Sequence, residues 1–254
     1  AAGNSGYLGE ETIDSPGIAR NAITVGAVDK QTRIADFSSR GPAYDLDGTT
    51  QIEKPDIVAP GVDICAAQFD DAFGDSNCND DDLHVAISGT SMATPHVAGA
   101  AALLIQKNPD WTSFEVKEAL KNTATDLGLE VNTQGTGFLD VLRAVSLESP
   151  PAVIYINSVN RDLKNITILG TVSHPDFNSY EIFIKQENNE FVKIYESPRQ
   201  IIGGVIVTFS HTSLDIGRYI LELKVYADRE RNLVGNKLIS FNVPNVEILS
   251  IAGD

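Results

Sequence analysis

The stretch GTSMATPHVAGAAALL, from Gly89 to Leu104, places Ser91 just before a long apolar run. The run is rich in alanine and poor in β-branched residues, which predicts a helix that continues to about Lys107. The preceding apolar segment, His84–Ser88, predicts a buried strand of a parallel sheet. Ser91 would then lie at a helix N-terminus, where the dipole and the free N–H groups favour negative charge. The residues alone leave two interpretations open, a catalytic nucleophile and a helix N-cap.

Outside this stretch, the first 150 residues alternate short β runs with helical runs. Ala22–Val28 is a nearly continuous apolar segment, typical of a strand in a parallel sheet. Thr112 and Glu115 form a T-x-x-E pattern, which predicts a capping box at the start of a second helix. The alternation indicates an α/β domain.

After the adjacent residues Pro150 and Pro151, the β runs are separated by Asn, Asp, Gly and Pro, without a helical period. Short strands at this spacing predict a small β-sandwich. We therefore expect two domains, an α/β part over residues 1–149 and an all-β accessory domain over residues 150–254.

The composition excludes some classes of partner. The 254 residues carry a formal net charge of −16, which argues against nucleic acid and anionic membranes. No run of 18 apolar residues occurs, so the sequence predicts no transmembrane helix. Cys65 and Cys78 lie 13 positions apart and are either a disulfide pair or two free thiols. A disulfide is favoured, since it would restrict the unfolded chain by roughly 3 kcal/mol and would suit an oxidising compartment or a hyperthermophile's cytosol.

The stretch Gly89–Leu104 resembles the nucleophile segment of the subtilases, the subtilisin-like serine proteases. Four further motifs accompany it in the family's order, namely AAGN at the start, SPGIARNAITVGAVD, FSSRGP and KPDIVAPGVDI. The resemblance covers about residues 1–145. It implies a subtilisin-like parallel-sheet fold and hydrolysis of peptide bonds in polypeptide substrates, with Ser91 as the nucleophile and no cofactor for the chemistry.

The same resemblance implies further site residues. Asn4 would donate its amide to the oxyanion, together with the backbone N–H of Ser91; the alternative is an asparagine that only serves a turn. The turn at Ser15–Gly17 and the first residues of the chain would line one side of the pocket for the P1 residue. Asp14 would favour Lys or Arg at P1 if it faced that pocket, and is otherwise a solvated surface acid. The substrate-binding residues expected here are Ala1, Ala2, Gly3 and Asp14.

None of the four histidines is expected to be the general base. The resemblance makes His96, five residues after Ser91, a structural residue, and the other three are His84, His174 and His211. In the family the catalytic Asp and His precede the Ser in the chain. We therefore expect both residues upstream of Ala1, in an N-terminal fragment of the same precursor. We expect further strands of the sheet in that fragment as well, because Ala22–Val28 would expose apolar edges without them. The alternative is a non-catalytic subtilase-like scaffold, or a binding protein associated with a surface layer.

Two further expectations concern ions and location. Phe69–Asp82 contains six aspartates, and Asp75, Asn77 and Asn79 alternate as ligands of a structural calcium ion could. The glycine of an EF-hand loop is missing, so the alternative is a solvated acidic loop. The C-terminal domain weakly resembles the Ig-like or fibronectin-like modules that follow some secreted subtilases. This resemblance predicts an extracellular or cell-surface protein whose β domain binds a cell-surface component.

Overall fold

The chain divides between Pro150 and Pro151 into two units, Ala1–Pro150 and Pro151–Asp254. A computed structural model describes residues 1–44, 51–69, 78, 83–162, 164–186, 189–212 and 214–243.

The described residues of the N-terminal unit form short strands and four α-helices. Its strands are β1 (Val25–Val28), β2 (Ala43–Tyr44), β3 (Gln51–Ile52), β4 (Ile57–Pro60), β5 (Ile64–Ala67) and β6 (His84–Ile87). Its helices are a 3-10 turn (Gly6–Leu8), α1 (Thr90–Lys107), α2 (Ser113–Thr123), α3 (Val131–Gln134) and α4 (Val141–Val145). β1 and β4 pair in parallel, with Val25 opposite Ile57, as their unbroken apolar sequences suggest.

The expectation that β1 exposes apolar edges is wrong for this chain. All four residues of β1 are buried. Its edge away from β4 is covered by other parts of the same unit, because Ala2 donates to the Val25 carbonyl and Ala35 donates to the Ala27 carbonyl, both at 2.9 Å. The hydroxyl of Ser38 accepts the Ala27 N–H at 3.0 Å. Loop segments of the same unit therefore satisfy the backbone groups of β1 that face away from β4.

The main core of this unit lies between the β1–β4 pair and helices α1, α2 and α4. α1 ends at Lys107, as the alanine-rich sequence predicts. The capping box at α2 is also confirmed, since the Thr112 side chain accepts the Glu115 N–H and the Glu115 carboxylate accepts the Thr112 N–H. Among the helices that the structure describes, none combines the length and the apolar character needed to cross a membrane.

The prediction of a buried parallel strand at His84–Ser88 is only partly correct. β6 forms there, but it pairs with β5 in an antiparallel ladder, with Ala67 opposite His84. Its burial is incomplete, and β5 is mostly exposed. An apolar run of this length indicates a strand, but it does not identify the partner strand. The β5–β6 ladder leads directly into α1.

The described residues of the C-terminal unit form two antiparallel sheets. The strands are β7 (Val153–Arg161), β8 (Asn165–Ser173), β9 (Phe177–Gln186), β10 (Val192–Ser197), β11 (Ile201–Ser210), β12 (Gly217–Ala227) and β13 (Asn232–Val243). One sheet has the order β10–β9–β12–β13 and the other has the order β11–β8–β7.

The two sheets of the C-terminal unit share one hydrophobic cluster. Burial alternates along β12, where Leu221, Leu223 and Val225 are completely buried and the residues between them are not. This period of two is the pattern of a strand with one face on a core. The hydroxyl of Tyr180 on β9 donates to the Ile206 carbonyl on β11 at 2.6 Å, which links the two sheets through the core.

Candidate active site

Ser91 is the second residue of α1, on the first turn of the helix. The helix can start close to the sheet because Gly61 has no side chain. A Cβ at Gly61 would lie 2.7 Å from the Ala27 Cβ and 2.8 Å from the Gly89 carbonyl oxygen. Gly89 donates its N–H to the Gly61 carbonyl at 2.8 Å and occupies the N-cap position. The interpretation of Ser91 as an N-cap is therefore wrong.

The Ser91 side chain is exposed at the positive end of the helix dipole. Within the described part of the chain, its hydroxyl has no hydrogen-bond partner. The Ser91 hydroxyl is therefore sterically accessible.

Asn4 is held against the start of α1 by Thr90. The Asn4 Oδ1 accepts the Thr90 N–H at 2.9 Å and the Thr90 hydroxyl at 3.0 Å. Thr90 is completely buried, and its hydroxyl also lies 3.2 Å from both the N and the O of Gly3. Since Oδ1 is occupied by two donors, the Nδ2 group of Asn4 points away from Thr90. This contact spans 86 positions in sequence, so the side chain does more than serve a local turn.

Two N–H groups border the space beside Gly89. A Cβ placed on Gly89 would lie 3.4 Å from the Nδ2 of Asn4 and 3.7 Å from the backbone N of Ser91. With glycine at this position the space stays open. Fixed donors on two sides of an open space can stabilise negative charge that develops on a carbonyl oxygen.

The first residues of the chain hold Asp14 near this site. The Ala2 side chain is completely buried, its N–H donates to Val25, and its carbonyl accepts the Asp14 N–H at 3.1 Å. Ala1 and Asp14 are exposed. Gly3 has a φ of +111°, and a Cβ there would lie 2.9 Å from the Oδ2 of Asp14. The Asp14 carboxylate therefore lies against the backbone that leads into Asn4.

The histidines make other contacts. His96 Nδ1 donates to the Met92 carbonyl on its own helix at 2.9 Å, and His84 belongs to β6. In the C-terminal unit, His174 Nδ1 accepts the Asp176 N–H and His211 Nε2 contacts the Asp162 carbonyl, each at 3.0 Å. Among the described residues of the N-terminal unit, neither His84 nor His96 is hydrogen-bonded to Ser91.

The structure also shows a buried ionic cluster that our sequence analysis missed. The Asp56 carboxylate lies between two ammonium groups, 2.6 Å from Lys54 Nζ and 2.9 Å from Lys117 Nζ. All three residues are buried. A Lys-Pro-Asp sequence just before an apolar strand was the available signal, because charges beside a buried strand must be paired.

The pKa values of the cluster reflect burial and mutual attraction. Burial raises the pKa of Asp56, but the charges of Lys117 and Lys54 outweigh that effect and hold the pKa below its usual value. Burial lowers the pKa of Lys54 and of Lys117, and Asp56 opposes the change only in part. The cluster contains one more positive than negative charge.

The Cys65–Cys78 disulfide is present, with a Cα–Cα distance of 6.0 Å. The proposed calcium ligands Asp75, Asn77 and Asn79 lie outside the described residues. Within the described residues, no group of three or more His, Cys, Asp or Glu side chains is arranged to hold a metal ion.

Comparison with known proteins identifies the N-terminal unit. The subtilase family model, Peptidase S8, matches residues 1–138. The chain belongs to the subtilase family. This subtilase is similar to serine protease AprX from Bacillus subtilis (strain 168), with 46% identity over 132 residues that make up 48% of this chain and 28% of that protein.

Other relatives match over a similar range. Subtilisin BL from Lederbergia lenta is 40% identical over 136 residues, which are 54% of this chain and 42% of that protein. A solved protease from Pseudoalteromonas arctica has 28% identity and a TM-score of 0.45, and the match covers 57% of this chain and 40% of that one. The chain spans less than half the length of these relatives.

Proposed function

We propose that this chain is the nucleophile-bearing part of a subtilisin-like serine endopeptidase. The observation that carries the proposal is that Asn4 Oδ1 accepts two hydrogen bonds, from the N–H and from the hydroxyl of Thr90. The Nδ2 group of Asn4 is left beside the N–H of Ser91. Ser91 would attack the carbonyl carbon of a peptide, and these two N–H groups would stabilise the resulting oxyanion. No cofactor is needed for this chemistry.

The general base and its carboxylate partner would come from a segment of the precursor outside these 254 residues. A serine hydroxyl is a weak nucleophile unless a base lies within hydrogen-bond reach, and neither histidine of the N-terminal unit, His84 or His96, is hydrogen-bonded to Ser91. The relatives are more than twice as long as the matched region, which leaves room for such a segment.

One face of α1 supports this division of the site. Exposed residues recur along the helix at spacings of three and four, which places them on one side. They are mostly small, which suits close packing of another polypeptide. Two larger apolar residues further along the helix, Leu103 and Ile105, are each 49% exposed. The exposed residues of this face are Ser91, Pro95, Ala98, Gly99 and Ala102. We propose that the segment carrying the histidine and the aspartate packs on this face.

The substrate preference would be for Lys or Arg at P1. The support is the exposed Asp14 carboxylate, which lies against Gly3, one residue before Asn4. A carboxylate at this position would pair with a cationic side chain close to the scissile bond.

The protein would act outside the cell or at its surface. The Cys65–Cys78 disulfide supports an oxidising compartment. The C-terminal unit would be an accessory β-sandwich of the Ig-like or fibronectin-like kind that contacts a cell-surface component, and its two sheets around one core are consistent with that. Calcium binding by Asp75, Asn77 and Asn79 remains part of the proposal.

Labelling with a fluorophosphonate probe tests the proposal. Residues 1–254 alone should label slowly and should not hydrolyse peptides at a protease rate, whereas the chain with its preceding segment should do both. The Ser91→Ala variant should abolish labelling in each case. Rapid labelling of residues 1–254 alone would mean that the base lies within them. An absence of labelling in the longer protein would favour the non-catalytic scaffold.

A further inference from the structure

The buried ionic cluster is bonded to one loop, the segment from Asp14 to Thr24. Lys117 Nζ donates to the Arg20 carbonyl at 3.2 Å and to the Ala22 carbonyl at 2.8 Å. Lys54 Nζ also donates to the Ala22 carbonyl, at 3.0 Å. Carbonyl dipoles of the loop thus solvate the positive charge that Asp56 does not balance.

Two further hydrogen bonds connect the ionic cluster to the part of the loop that lies near Asp14. The Asp56 carboxylate accepts the Thr24 N–H at 2.8 Å, and the Thr24 hydroxyl donates to the Gly17 carbonyl at 2.6 Å. Gly17 lies directly against the segment that carries the acid, because a Cβ there would be 2.7 Å from the Ala1 carbonyl oxygen and 2.9 Å from that of Asp14. Tight backbone contacts therefore run from the cluster to Asp14.

We infer that Lys117 is a positioning residue for substrate selection, which fixes the loop from Asp14 to Thr24 and with it the Asp14 carboxylate. The inference rests on the proposed function, because it assumes that Asp14 faces the P1 side chain. Lys117 lies on α2 and would act only through the loop. Small displacements of a group that orients a substrate have large effects on rate.

Lys117 can be removed without leaving an unpaired buried charge. In Lys117→Met, Asp56 keeps its ion pair with Lys54, and the cluster becomes neutral. Replacing part of a buried ionic group by an apolar side chain of similar length is tolerated when no charge is left alone. The loop, in contrast, loses two of its hydrogen bonds to the cluster. The variant therefore separates the positioning of the loop from the stability of the core.

The experiment uses the chain together with the preceding segment of its precursor and two fluorogenic peptides that differ only in Arg or Leu at P1. In Lys117→Met, the ratio of kcat/KM for Arg over Leu should fall about tenfold, through a higher KM for the Arg peptide. The kcat for the Leu peptide should stay unchanged. Lys117→Gln, which can still donate to one carbonyl, should give an intermediate ratio. Lys121→Met removes the same charge from the same helix and should leave the ratio unchanged.

Asp14→Asn separates the possible outcomes. It should abolish the Arg preference, and Lys117→Met should then have no additional effect on the ratio. If Asp14→Asn abolishes the preference and Lys117→Met does not change it, the inference fails and the proposed function stands. An equal loss of kcat for both peptides in Lys117→Met, or unfolding of that variant, would make Lys117 a structural residue and overturn the inference. If Asp14→Asn leaves the Arg-over-Leu ratio of kcat/KM unchanged, Asp14 does not select the P1 residue. Both the role of Asp14 and the inference about Lys117 are then wrong.

Discussion

At the residue scale, the proposed chemistry of the site depends on how firmly the side-chain amide of Asn4 is oriented. Thr90 is completely buried and directs both its N–H and its hydroxyl at the Oδ1 of Asn4. An amide held at its oxygen cannot turn without breaking both bonds. Its Nδ2 is therefore oriented before any substrate arrives, which is the condition under which a donor stabilises a developing charge most effectively.

Thr90→Val should remove the hydroxyl bond to Asn4, together with the contacts of that hydroxyl with Gly3, and so loosen Asn4. We expect kcat to fall about tenfold with little change in KM, because the loss of an oxyanion donor itself costs a subtilisin roughly 100- to 1,000-fold in turnover. Thr94→Val is the matched control, since the Thr94 hydroxyl donates only to the Thr90 carbonyl of the same helix. Steady-state kinetics of the longer protein check this. Equal losses in the two variants would contradict the orienting role of Thr90.

At the scale of elements, the contact between α1 and the strand pair β1–β4 places Ser91. Gly61, which follows β4, lies between the two, and a Cβ there would be 2.7 Å from Ala27 on β1 and 3.2 Å from Ala93 on α1. There is no room for a methyl group unless the helix moves. The absence of a side chain at Gly61, 30 residues before Ser91 in the sequence, therefore allows the start of α1 to lie where it does.

Gly61→Ala should force α1 away from the strands. Overpacking of a filled core costs about 1–3 kcal/mol, so the urea midpoint of residues 1–254 should decrease. Gly99→Ala lies on α1 where no atom would be within 4 Å of the added Cβ. That control should keep or raise the midpoint, because alanine favours a helix by up to about 1 kcal/mol over glycine. A Gly61→Ala midpoint equal to that of the unsubstituted chain would show that the contact is not tight.

The ionic cluster should make stability depend on pH in acid. Asp56 has a pKa below its usual value, so its stabilisation is present above the unfolded pKa of about 4 and is lost as the pH falls toward the folded value. Removal of Lys117 raises the folded pKa and reduces that loss. The free energy of unfolding should therefore fall less steeply below about pH 4 in Lys117→Met than in the unsubstituted chain. Urea titrations at several pH values measure the slope, and a slope in Lys117→Met equal to that of the unsubstituted chain would argue against the shift.

At the scale of the whole molecule, the sequence reveals elements more readily than their partners. The alanine-rich run after Ser91 and the T-x-x-E pattern at Thr112 predict α1 and the start of α2, because helix propensity and capping are local. The antiparallel pairing of β6 and the covering of β1 by Ala2 depend on contacts distant in sequence, which periodicity does not contain. The contact of Lys117 with a loop 95 positions away was missed for the same reason.

The two units should be separable in function. Deletion of Pro151–Asp254 from the longer protein should leave the turnover of small peptides within about twofold of the starting value, since Ser91 and Asn4 both belong to the unit that ends at Pro150. Peptide kinetics of the shortened protein, with circular dichroism to verify folding, check this. A loss greater than tenfold in a folded protein would show that the second unit supports the site.

The Cys65–Cys78 bond determines what a cut in the chain would do to the N-terminal unit. One cysteine lies on β5 and the other follows it by 13 positions, before β6 and Ser91. A single hydrolytic cut anywhere between them leaves both pieces covalently joined, so the strand leading to the nucleophile stays attached to the rest of the unit. Such a nicked molecule would migrate as one chain on a non-reducing gel and as two after reduction. Under the proposed function, the bond would thus keep the unit in one covalent piece after a cut made by the protein itself or by a neighbouring copy between the two cysteines.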